Sequence, residues 1–523
     1  MGTELARELP GARVVARANR KHMVGWAVLA LVLLGLGLWN LDGPPMWWDE
    51  GWTLSVARHW AEDGRYGRLR DGAPAQPGLE ASFAVTLPVG VVMRVLGAGV
   101  WQGRVFGVLC ATGATLLLAA LGTRLYSHRI AIATVVAALL LSLHPQIHPL
   151  LQGRQVLAEM PMLLYLLGGY LCLWWALAGR WLAVLPAAML LGIAWVTKGQ
   201  TESFLVASLV VTALAALVAR RWRIAATFAV TLAGAYAVAR VLPQFAYGLL
   251  ADPSLPADPV VGLLGMVAMV LTPFHRAYAL RNSIIFGLPT VLALPWGLWV
   301  LWRERAQASA AEPGWYLRLA LLAFCGSWLG WFVTLSVGVP RYMAPPVVVA
   351  SIFVAALLHD MTGGFAFGPS ASAIFDLLTL RRLSRAGGVA LLALFLAASA
   401  FAITTMGLGR YYPETDHSAQ RVAALLNALP AGTRIETYES ELHFLLKQPY
   451  TFPPNQVHVA LGLRSLLVDP NATVVYDALA HNPEYLVVGR FARENELYAP
   501  VVASGAFRLL VKDGLYEVYQ RVR

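Results

Sequence analysis

The sequence predicts a mainly α-helical, polytopic membrane protein that carries a small α/β domain at its C-terminal end. Of the 523 residues, 58% are hydrophobic and only 13% are charged, and the mean hydropathy is +0.60. A soluble globular protein is about 45–50% apolar, so this composition excludes an ordinary soluble fold. Long apolar runs fill most of the chain up to about residue 410, and the remainder alternates apolar with polar residues.

Apolar runs long enough to cross a bilayer predict about eleven transmembrane helices. They lie at roughly 23–41, 105–123, 130–147, 160–179, 181–197, 203–219, 224–239, 283–301, 319–338, 343–358 and 387–408. The first run is long enough to span, which predicts a membrane helix rather than a cleavable signal. Two further segments, 82–100 and 260–271, fit a span poorly and predict amphipathic or re-entrant pieces at the outer surface.

Basic clusters between the spans predict the orientation of the chain. All of them fall on one side of the layout: Arg13, Arg17, Arg20 and Lys21; Arg124 and Arg129; Arg180; Arg220, Arg221 and Arg223; Arg303 and Arg305; Arg381, Arg382 and Arg385. By the positive-inside rule this side is the cytoplasm, which explains the net charge of +11 without nucleic acid.

This orientation predicts three regions. They are a cytoplasmic N-terminus at 1–22, a membrane domain at 23–409 with a first external loop at 42–104, and an extracytoplasmic α/β domain at 410–523. Candidate strands of the last domain lie at 434–438, 473–476, 485–488, 507–511 and 516–520. Its polar residues Tyr438, Glu439, His443 and Asp477 are expected to be ordinary surface groups.

The same layout places ionisable residues from four separate segments at the outer ends of spans. They are Asp49 and Glu50, Arg154 and Glu159, Lys198 and Glu202, and Arg341. A charged side chain costs roughly 2.5–3.5 kcal/mol at the centre of a membrane helix, so such residues usually face protein or water. Together they predict one polar cavity that opens away from the cytoplasm, beside the lipid.

Each of these residues also has a simpler interpretation. Asp49 could cap the helix predicted over 51–62, on which Trp52, Val56 and Trp60 share one face. Arg154 could pair with Glu159 alone. Lys198 could extend to the lipid head groups, and Arg341 could anchor the end of a span. Position at a span end favours Trp47, Trp48 and Trp52 as interfacial anchors over sugar-stacking platforms.

No cofactor is indicated, although a divalent metal stays open. His144 and His148 have helical spacing, but Pro145 interrupts it and no acidic partner completes a metal site. Cys110, Cys172 and Cys325 lie within apolar runs, which favours neither a disulfide framework nor a thiolate site. The absence of a phosphate-binding loop or nucleophile elbow disfavours an enzyme driven by a soluble nucleotide.

A series of short motifs follows in order along residues 23–345. They are Trp48-Asp49-Glu50, Gly103-Arg104, Gly122-Thr123-Arg124-Leu125, Gln152-Gly153-Arg154 leading to Glu159-Met160-Pro161, Thr197-Lys198-Gly199, and Pro340-Arg341-Tyr342 before Pro345-Pro346. In this order they resemble the GT-C integral-membrane glycosyltransferases of the protein O-mannosyltransferase and lipid A aminoarabinose transferase group. Two departures concern the donor and acceptor: Gln76-Pro77-Gly78 stands where the aminoarabinose enzymes have Lys-Pro, and Glu159 stands where an Asp-Pro pair is common.

The resemblance implies an inverting hexosyl- or pentosyltransferase of the bacterial plasma membrane. Its partners would be a polyprenyl-phosphate sugar donor and a protein, lipid or polysaccharide acceptor on the outer side of the bilayer. The implied roles are a general base for Asp49, orientation of acceptor or loop for Glu50, binding of the donor phosphate for Lys198, Arg341 and Arg154, and substrate contact for Glu159 and Tyr342. Two competing functions are a transporter or flippase of a lipid-linked or small anionic substrate, and a catalytically inactive scaffold with the same fold.

Overall fold

The computed structural model describes residues 10–142, 144–250, 269–305, 313–362, 364–365 and 415–522, together with residues 397, 399 and 401. Thirteen helices precede residue 362 in these ranges. They are α1 Pro10–Leu38, α2 Trp48–Asp63, α3 Phe83–Leu96, α4 Val100–Leu125, α5 His128–Leu140, α6 Pro149–Gly153, α7 Glu159–Leu177, α8 Val184–Thr197, α9 Thr201–Val218, α10 Trp222–Leu250, α11 Pro273–Glu304, α12 Pro313–Thr334 and α13 Ala344–Met361. A short hairpin, β1 Leu69–Arg70 and β2 Ala73–Pro74, lies in the first loop.

Seven helices of the described ranges have the length and hydropathy of a membrane span: α4, α7, α9, α10, α11, α12, and α13 with the 3-10 turn before it. Shorter apolar helices occur at Met23–Leu38, Phe83–Leu96, His128–Leu140 and Trp181–Thr197. The predicted count of eleven spans is therefore not confirmed. The predicted spans up to 343–358 each coincide with a helix, whereas most of 387–408 lies outside the described residues.

The two segments that fit a span poorly have different outcomes. The first, 82–100, contains the 14-residue helix α3, which is shorter than the roughly 20 residues that cross a bilayer. Its Val85, Val89 and Met93 are buried, whereas Val91 and Val95 are exposed. Most of the second, 260–271, lies outside the described residues.

The membrane helices enclose one continuous core, and small polar groups connect neighbouring helices within it. Tyr170 of α7 and Ser208 of α9 share a hydrogen bond of 2.7 Å, and Ser208 Oγ donates to the carbonyl oxygen of Ala320 in α12. Lipid cannot hydrogen-bond these groups, so contacts between helices satisfy them. The core therefore fixes the start of α7 and the end of α8, where Glu159 and Lys198 lie.

The C-terminal region is a small α/β domain built on five strands. In chain order its elements are α14 Ser418–Asn427, β3 Ile435–Thr437, α15 Ser440–Leu445, β4 Tyr450–Thr451, α16 Asn455–Ser465, β5 Tyr485–Val488, α17 Arg490–Glu494, α18 Ala499–Ala503, β6 Phe507–Asp513 and β7 Tyr516–Arg521. The strand order is β4-β3-β5-β7-β6, in which β3 is parallel to β4 and β5, and β7 is antiparallel to β5 and β6.

Four of the five predicted strands are present, and one prediction is wrong. Residues 473–476 form no strand; Val474 and Tyr476 instead pack on the domain core, and the Tyr476 hydroxyl donates to Glu436 at 2.7 Å. The alternating pattern there reflects burial of alternate side chains without a partner strand. The two-residue strand β4 is too short to produce a period-two pattern.

The first loop packs closely against this domain. Trp48 Nε1 donates to the carbonyl oxygen of Tyr438 at 3.3 Å, the Ser440 hydroxyl donates to the carbonyl oxygen of Trp48, and Arg58 donates to two carbonyl oxygens of 444–446. A β-carbon on Gly51 would lie 2.4 Å from the backbone of residues 440 and 441. Glycine is therefore the residue that permits the close approach of helix α2 to the domain.

Two sets of sequence predictions are corrected at this junction. Trp48 and Trp52 are only 9% and 2% exposed and belong to the core shared by the loop and the domain, so they are not interfacial anchors. Tyr438, Glu439 and His443 are buried rather than on the surface, whereas Asp477 is exposed as expected. Packing of the first loop on the C-terminal domain accounts for the cover of Trp48 and Trp52. No local pattern in the loop or in the domain indicates this packing.

Candidate active site

Four charged residues from distant parts of the chain meet in one group, which we call the ionic cluster: Asp49, Glu159, Lys198 and Arg341. Glu159 Oε1 lies 2.8 Å from Lys198 Nζ and 3.3 Å from Arg341 Nε. Arg341 Nη1 lies 2.6 Å from Asp49 Oδ2. The structure thus brings together four of the predicted site residues in a chain of ion pairs whose formal charges cancel.

The local backbone structure explains how each residue of the ionic cluster reaches this position. Glu159 is the first residue of α7, and Lys198 follows the end of α8 with an extended backbone. Arg341 lies in the 3-10 turn Pro340–Met343, and Trp328 Nε1 of α12 donates to the carbonyl oxygen of Tyr342 at 2.8 Å. Tyr342 itself is buried, and its ring lies 5.7 Å from Lys198 Nζ. The tips of three helices and one turn therefore point to the same place.

Asp49 and its neighbour Glu50 have different environments. Asp49 does not cap helix α2, because the N-cap residue is Trp47 and Asp49 is the second helical residue. Its side chain is 23% exposed and lines a cavity. Glu50 is fully buried and accepts hydrogen bonds from Arg104 on both carboxylate oxygens, at 2.7 and 2.8 Å. Of the two adjacent carboxylates, Asp49 is the one that lines the cavity.

Glu50 supports the first loop rather than facing a substrate. Its carboxylate also accepts the backbone N–H of Trp47 at 3.1 Å and of Val156 at 3.2 Å. Arg104 donates further to the carbonyl oxygens of Leu41 and Pro44 at 2.8 and 2.9 Å. Of the two orienting roles predicted for Glu50, the geometry favours orientation of the loop.

Two predicted members do not join the ionic cluster. Arg154 is 1% exposed and donates to the carbonyl oxygens of Trp39 and Asn40, both at 2.7 Å, so it holds the end of α1 and does not line the cavity. Its predicted contact with a donor phosphate stays a prediction, and the geometry of its contacts does not favour it, because the buried guanidinium satisfies carbonyls that follow a helix end. Glu202 accepts from Trp195 Nε1 at 3.0 Å and likewise does not line the cavity.

The ionic cluster lines a cavity of about 400 Å³ between the membrane helices, the first loop and the C-terminal domain. A second wall of this cavity, which we call the aromatic wall, consists of Trp48, Tyr438, His458 and Phe491. The rings of Trp48 and His458 are stacked with centroids 4.7 Å apart, and the ring of Phe491 lies 5.3 Å from that of Trp48. Sequence analysis missed His458 and Phe491, because only tertiary contacts bring them beside Trp48.

The two walls of the cavity differ in the charge of their side chains. Burial lowers the pKa of His458 to about 3, so its ring is neutral at pH 7, and its Nδ1 shares a hydrogen bond of 2.8 Å with the Tyr438 hydroxyl. Among the residues that the structure describes, the charged side chains lining this cavity are the four of the ionic cluster. One wall therefore carries paired charges of both signs, and the other carries neutral rings.

The histidine pair considered for a metal is occupied by other contacts. His148 Nε2 lies 2.9 Å from the carbonyl oxygen of Leu139, and the ring of His144 packs edge-on against Phe286. Within the described ranges no three His, Cys, Asp or Glu residues are grouped so that they could hold a metal ion.

Another cavity, of about 550 Å³, lies at the far ends of α5, α11 and α13. Its lining includes Tyr126, Trp299, Arg303, His359 and Asp360. Its charged lining residues are Arg303, Glu304 and Asp360, so two carboxylates face one guanidinium and the cavity lacks the paired cations of the ionic cluster.

No protein-family model and no curated protein matches the chain. Among solved structures, the chain is similar to ArnT from Cupriavidus metallidurans bound to undecaprenyl phosphate, with a TM-score of 0.65 and 16% identity over 96% of this chain and 98% of that one. The apo form of that protein gives a TM-score of 0.60 and 17% identity over 97% and 98%.

The Archaeoglobus fulgidus oligosaccharyltransferase in the apo form gives a TM-score of 0.53 and 11% identity, over 91% of this chain and 71% of that chain. At such identities the likeness concerns the fold, which extends over nearly the full length of this chain and of ArnT. These neighbours are GT-C proteins. The GT-C fold predicted from the ordered motifs is therefore confirmed, and the chain is a membrane protein of that fold.

Proposed function

We propose that this protein is an inverting glycosyltransferase that moves a sugar from a polyprenyl-phosphate donor to an acceptor hydroxyl in the cavity between membrane and C-terminal domains. The observation that carries the proposal is the ionic cluster: two cations and two carboxylates in one chain of ion pairs, where the ends of apolar helices meet the first loop. Such a group suits a lipid-linked anion because the prenyl chain can stay in the bilayer while its phosphate reaches the protein.

The two cations of the ionic cluster suit a monophosphate-linked donor. A phosphodiester with one negative charge can contact both Lys198 and Arg341 by replacing part of their pairing with Asp49 and Glu159. ArnT, which has the same fold, was crystallised with undecaprenyl phosphate, and this supports the proposed class of donor. The sugar and the acceptor are separate questions.

In the proposed reaction the acceptor oxygen attacks the anomeric carbon from the face opposite the phosphate. The new bond joins acceptor oxygen to anomeric carbon, the bond from that carbon to the phosphate oxygen breaks, and the hydroxyl proton passes to Asp49. Negative charge builds up on the leaving polyprenyl phosphate, where Lys198 and Arg341 stabilise it. Glu159 holds both cations in place, since one of its oxygens contacts both of them.

Asp49 is the carboxylate proposed as general base because it lines the cavity. Glu50 is enclosed by Arg104 and backbone N–H groups, so its proposed role is to fix the loop that carries Asp49.

The ion pair between Arg341 and Asp49 links donor binding to the base. When the donor phosphate draws Arg341 towards itself, it loosens the arginine from Asp49, so donor binding would free the base for the acceptor.

The test uses the purified full-length protein in proteoliposomes with polyprenyl-phosphate pentoses and hexoses labelled in the sugar, offered with polysaccharide, lipid and protein acceptors. The expected products are free polyprenyl phosphate and a labelled acceptor. Asp49→Asn should retain binding of the polyprenyl phosphate and lose about 10²–10⁴-fold in turnover. Asp360→Asn, in the other cavity, is the matched control and should react normally.

Three results would reject the proposal. Movement of the intact donor across the bilayer without cleavage would identify a transporter. Absence of cleavage with every donor, despite tight binding, would identify an inactive scaffold. Turnover of Asp49→Asn close to that of the wild type would remove Asp49 from the role of base.

A further inference from the structure

We propose that the aromatic wall is an acceptor subsite for an uncharged carbohydrate, so that the acceptor is a glycan chain whose accepting sugar carries no phosphate. This inference rests on the proposed function and specifies its acceptor. It concerns the wall formed by the first loop and the C-terminal domain, of which the sequence analysis considered only Trp48 for sugar stacking.

The wall offers ring faces in a fixed arrangement. The ring of Trp48 contacts those of Tyr438, His458 and Phe491, with centroids 4.7 to 5.4 Å apart. Faces of aromatic rings carry partial negative charge, so they attract the polarised C–H groups on the flat side of a sugar ring. Trp48 and Tyr438 are buried, whereas Phe491 is half-buried and presents part of its ring to the cavity.

The framework behind the wall is rigid enough to hold a ring in one orientation. Glu439 accepts the backbone N–H groups of Phe491 and Ala492 at 3.3 and 2.8 Å, which fixes the start of α17. His458 is held by the Tyr438 hydroxyl on one side and by the Trp48 ring on the other. A wall whose shape exists before binding costs little ordering of side chains when a ligand arrives.

Three neutral amide side chains line the same cavity as these rings. Asn495, Gln146 and Gln200 line the cavity, and in the described structure Gln200 Oε1 is buried without a hydrogen-bond partner. Such an oxygen is a ready acceptor for a hydroxyl, since an unpaired buried polar atom is costly. An acyl chain would leave these amides unpaired, and a phosphorylated acceptor would compete with the donor for Lys198 and Arg341. Sugar hydroxyls satisfy the amides without adding charge.

The wall also has the right position relative to the proposed base. Trp48 and Asp49 are consecutive at the start of helix α2, and both line the cavity. A sugar ring on the aromatic wall therefore has a hydroxyl beside Asp49, while the donor phosphate occupies Lys198 and Arg341. In this arrangement the acceptor enters from the C-terminal domain and the donor from the membrane.

A matched pair of substitutions at Phe491 separates ring stacking from bulk. Phe491→Tyr keeps an aromatic ring, whereas Phe491→Leu keeps an apolar side chain and removes the ring face. Full-length protein in nanodiscs is applied to an array of defined neutral oligosaccharides and their phosphorylated counterparts. We expect the wild type and Phe491→Tyr to bind neutral glycans, and Phe491→Leu to bind them about 3–10-fold more weakly.

Donor binding, measured with undecaprenyl phosphate, should be the same in all three proteins. With the retained glycan as acceptor, Phe491→Leu should raise the KM for acceptor and leave the KM for donor unchanged. Retention of phosphorylated glycans only, retention of no glycan, or equal binding by Phe491→Leu and wild type would overturn the inference. Release of polyprenyl phosphate with a protein or lipid acceptor alone would overturn it while the proposed glycosyltransferase activity stands.

Discussion

The ionic cluster and the aromatic wall line the same cavity but arise from different physical constraints. The cluster unites residues 159, 198 and 341, which lie at ends of apolar helices where a charge is expensive unless the protein pairs it, with residue 49 at the start of the first-loop helix. The wall unites Trp48 with residues 438, 458 and 491, which meet because the C-terminal domain packs on the first loop. One half of the cavity is thus recognisable from where charges lie in the sequence, and the other half depends on tertiary contacts alone.

Glu50 fixes the loop that carries both Trp48 and Asp49, one residue from each wall. Its substitution therefore gives the largest expected effect on stability. Glu50→Gln leaves Arg104 as a buried cation without its counter-ion, at the point where the loop is tied to α4. The expected loss in free energy of unfolding is about 3–5 kcal/mol, seen as a lower apparent unfolding temperature by intrinsic fluorescence. Asp63→Asn, which changes an exposed carboxylate at the end of the same helix, is the control and should unfold like the wild type; equal stability of both variants would show that Glu50 does not support the loop.

Loss of a cation should affect the ionic cluster without changing the aromatic wall. Lys198→Met removes one of the two cations proposed to hold the donor phosphate, so the affinity for undecaprenyl phosphate should fall about 10–100-fold. Binding of neutral glycan should stay the same. Lys447→Met, at an exposed position of the C-terminal domain, is the control. A Kd for the lipid phosphate that Lys198→Met leaves unchanged would separate this lysine from donor binding.

The contact between the first loop and the C-terminal domain can be changed at Gly51. In Gly51→Ala the new β-carbon would lie 2.4 Å from the backbone of residues 440 and 441, so the loop and the domain must move apart. We expect a loss of about 1–3 kcal/mol in stability and a lower kcat with the acceptor. Gly330→Ala, where a β-carbon meets nothing within 4 Å, serves as the control. If Gly51→Ala reacted as fast as Gly330→Ala, close contact between the loop and the domain would be unnecessary for transfer.

The smallest effect concerns pH and the aromatic wall. Because burial lowers the pKa of His458 to about 3, the unfolded chain binds a proton below pH 6.5 that the folded chain does not bind. Stability from this residue is therefore complete above pH 6.5 and falls as the pH drops towards 3. From pH 6.5 to pH 5 the loss is up to about 2 kcal/mol.

His458→Phe isolates this contribution, since phenylalanine keeps a ring beside Trp48 but cannot be protonated. The unfolding temperatures of wild type and variant are compared at pH 7.5 and pH 5. The wild type should lose more stability than His458→Phe on acidification. Parallel changes in the two proteins would mean that His458 does not contribute to the pH dependence.

Much of the membrane half could be predicted from the sequence because bilayer length and the cost of charge constrain it strongly. The helices, the GT-C fold and the convergence of Asp49, Glu159, Lys198 and Arg341 follow from those constraints and the ordered motifs. Arg154 shows their limit: the same cost explains a buried arginine that binds backbone carbonyls as well as one that faces a ligand. Sequence position alone does not distinguish the two.

The C-terminal half gave weaker signals. Alternation over 473–476 predicted a strand, but those side chains pack without a partner strand. Trp48 and Trp52 have the position of interfacial anchors, yet the domain covers them, and nothing in the loop indicates that cover. His458 and Phe491 lie in ordinary helical segments whose meeting with Trp48 depends on the whole domain.

The most direct test of the account is a density map of the protein with undecaprenyl phosphate bound. The account predicts the phosphate between Lys198 and Arg341, with its oxygens about 2.7–2.9 Å from their nitrogens and its prenyl chain in the bilayer. It also predicts open space between that phosphate and Asp49, large enough for the donor sugar. A phosphate bound in the other cavity beside Arg303, with the ionic cluster undisturbed, would contradict the account.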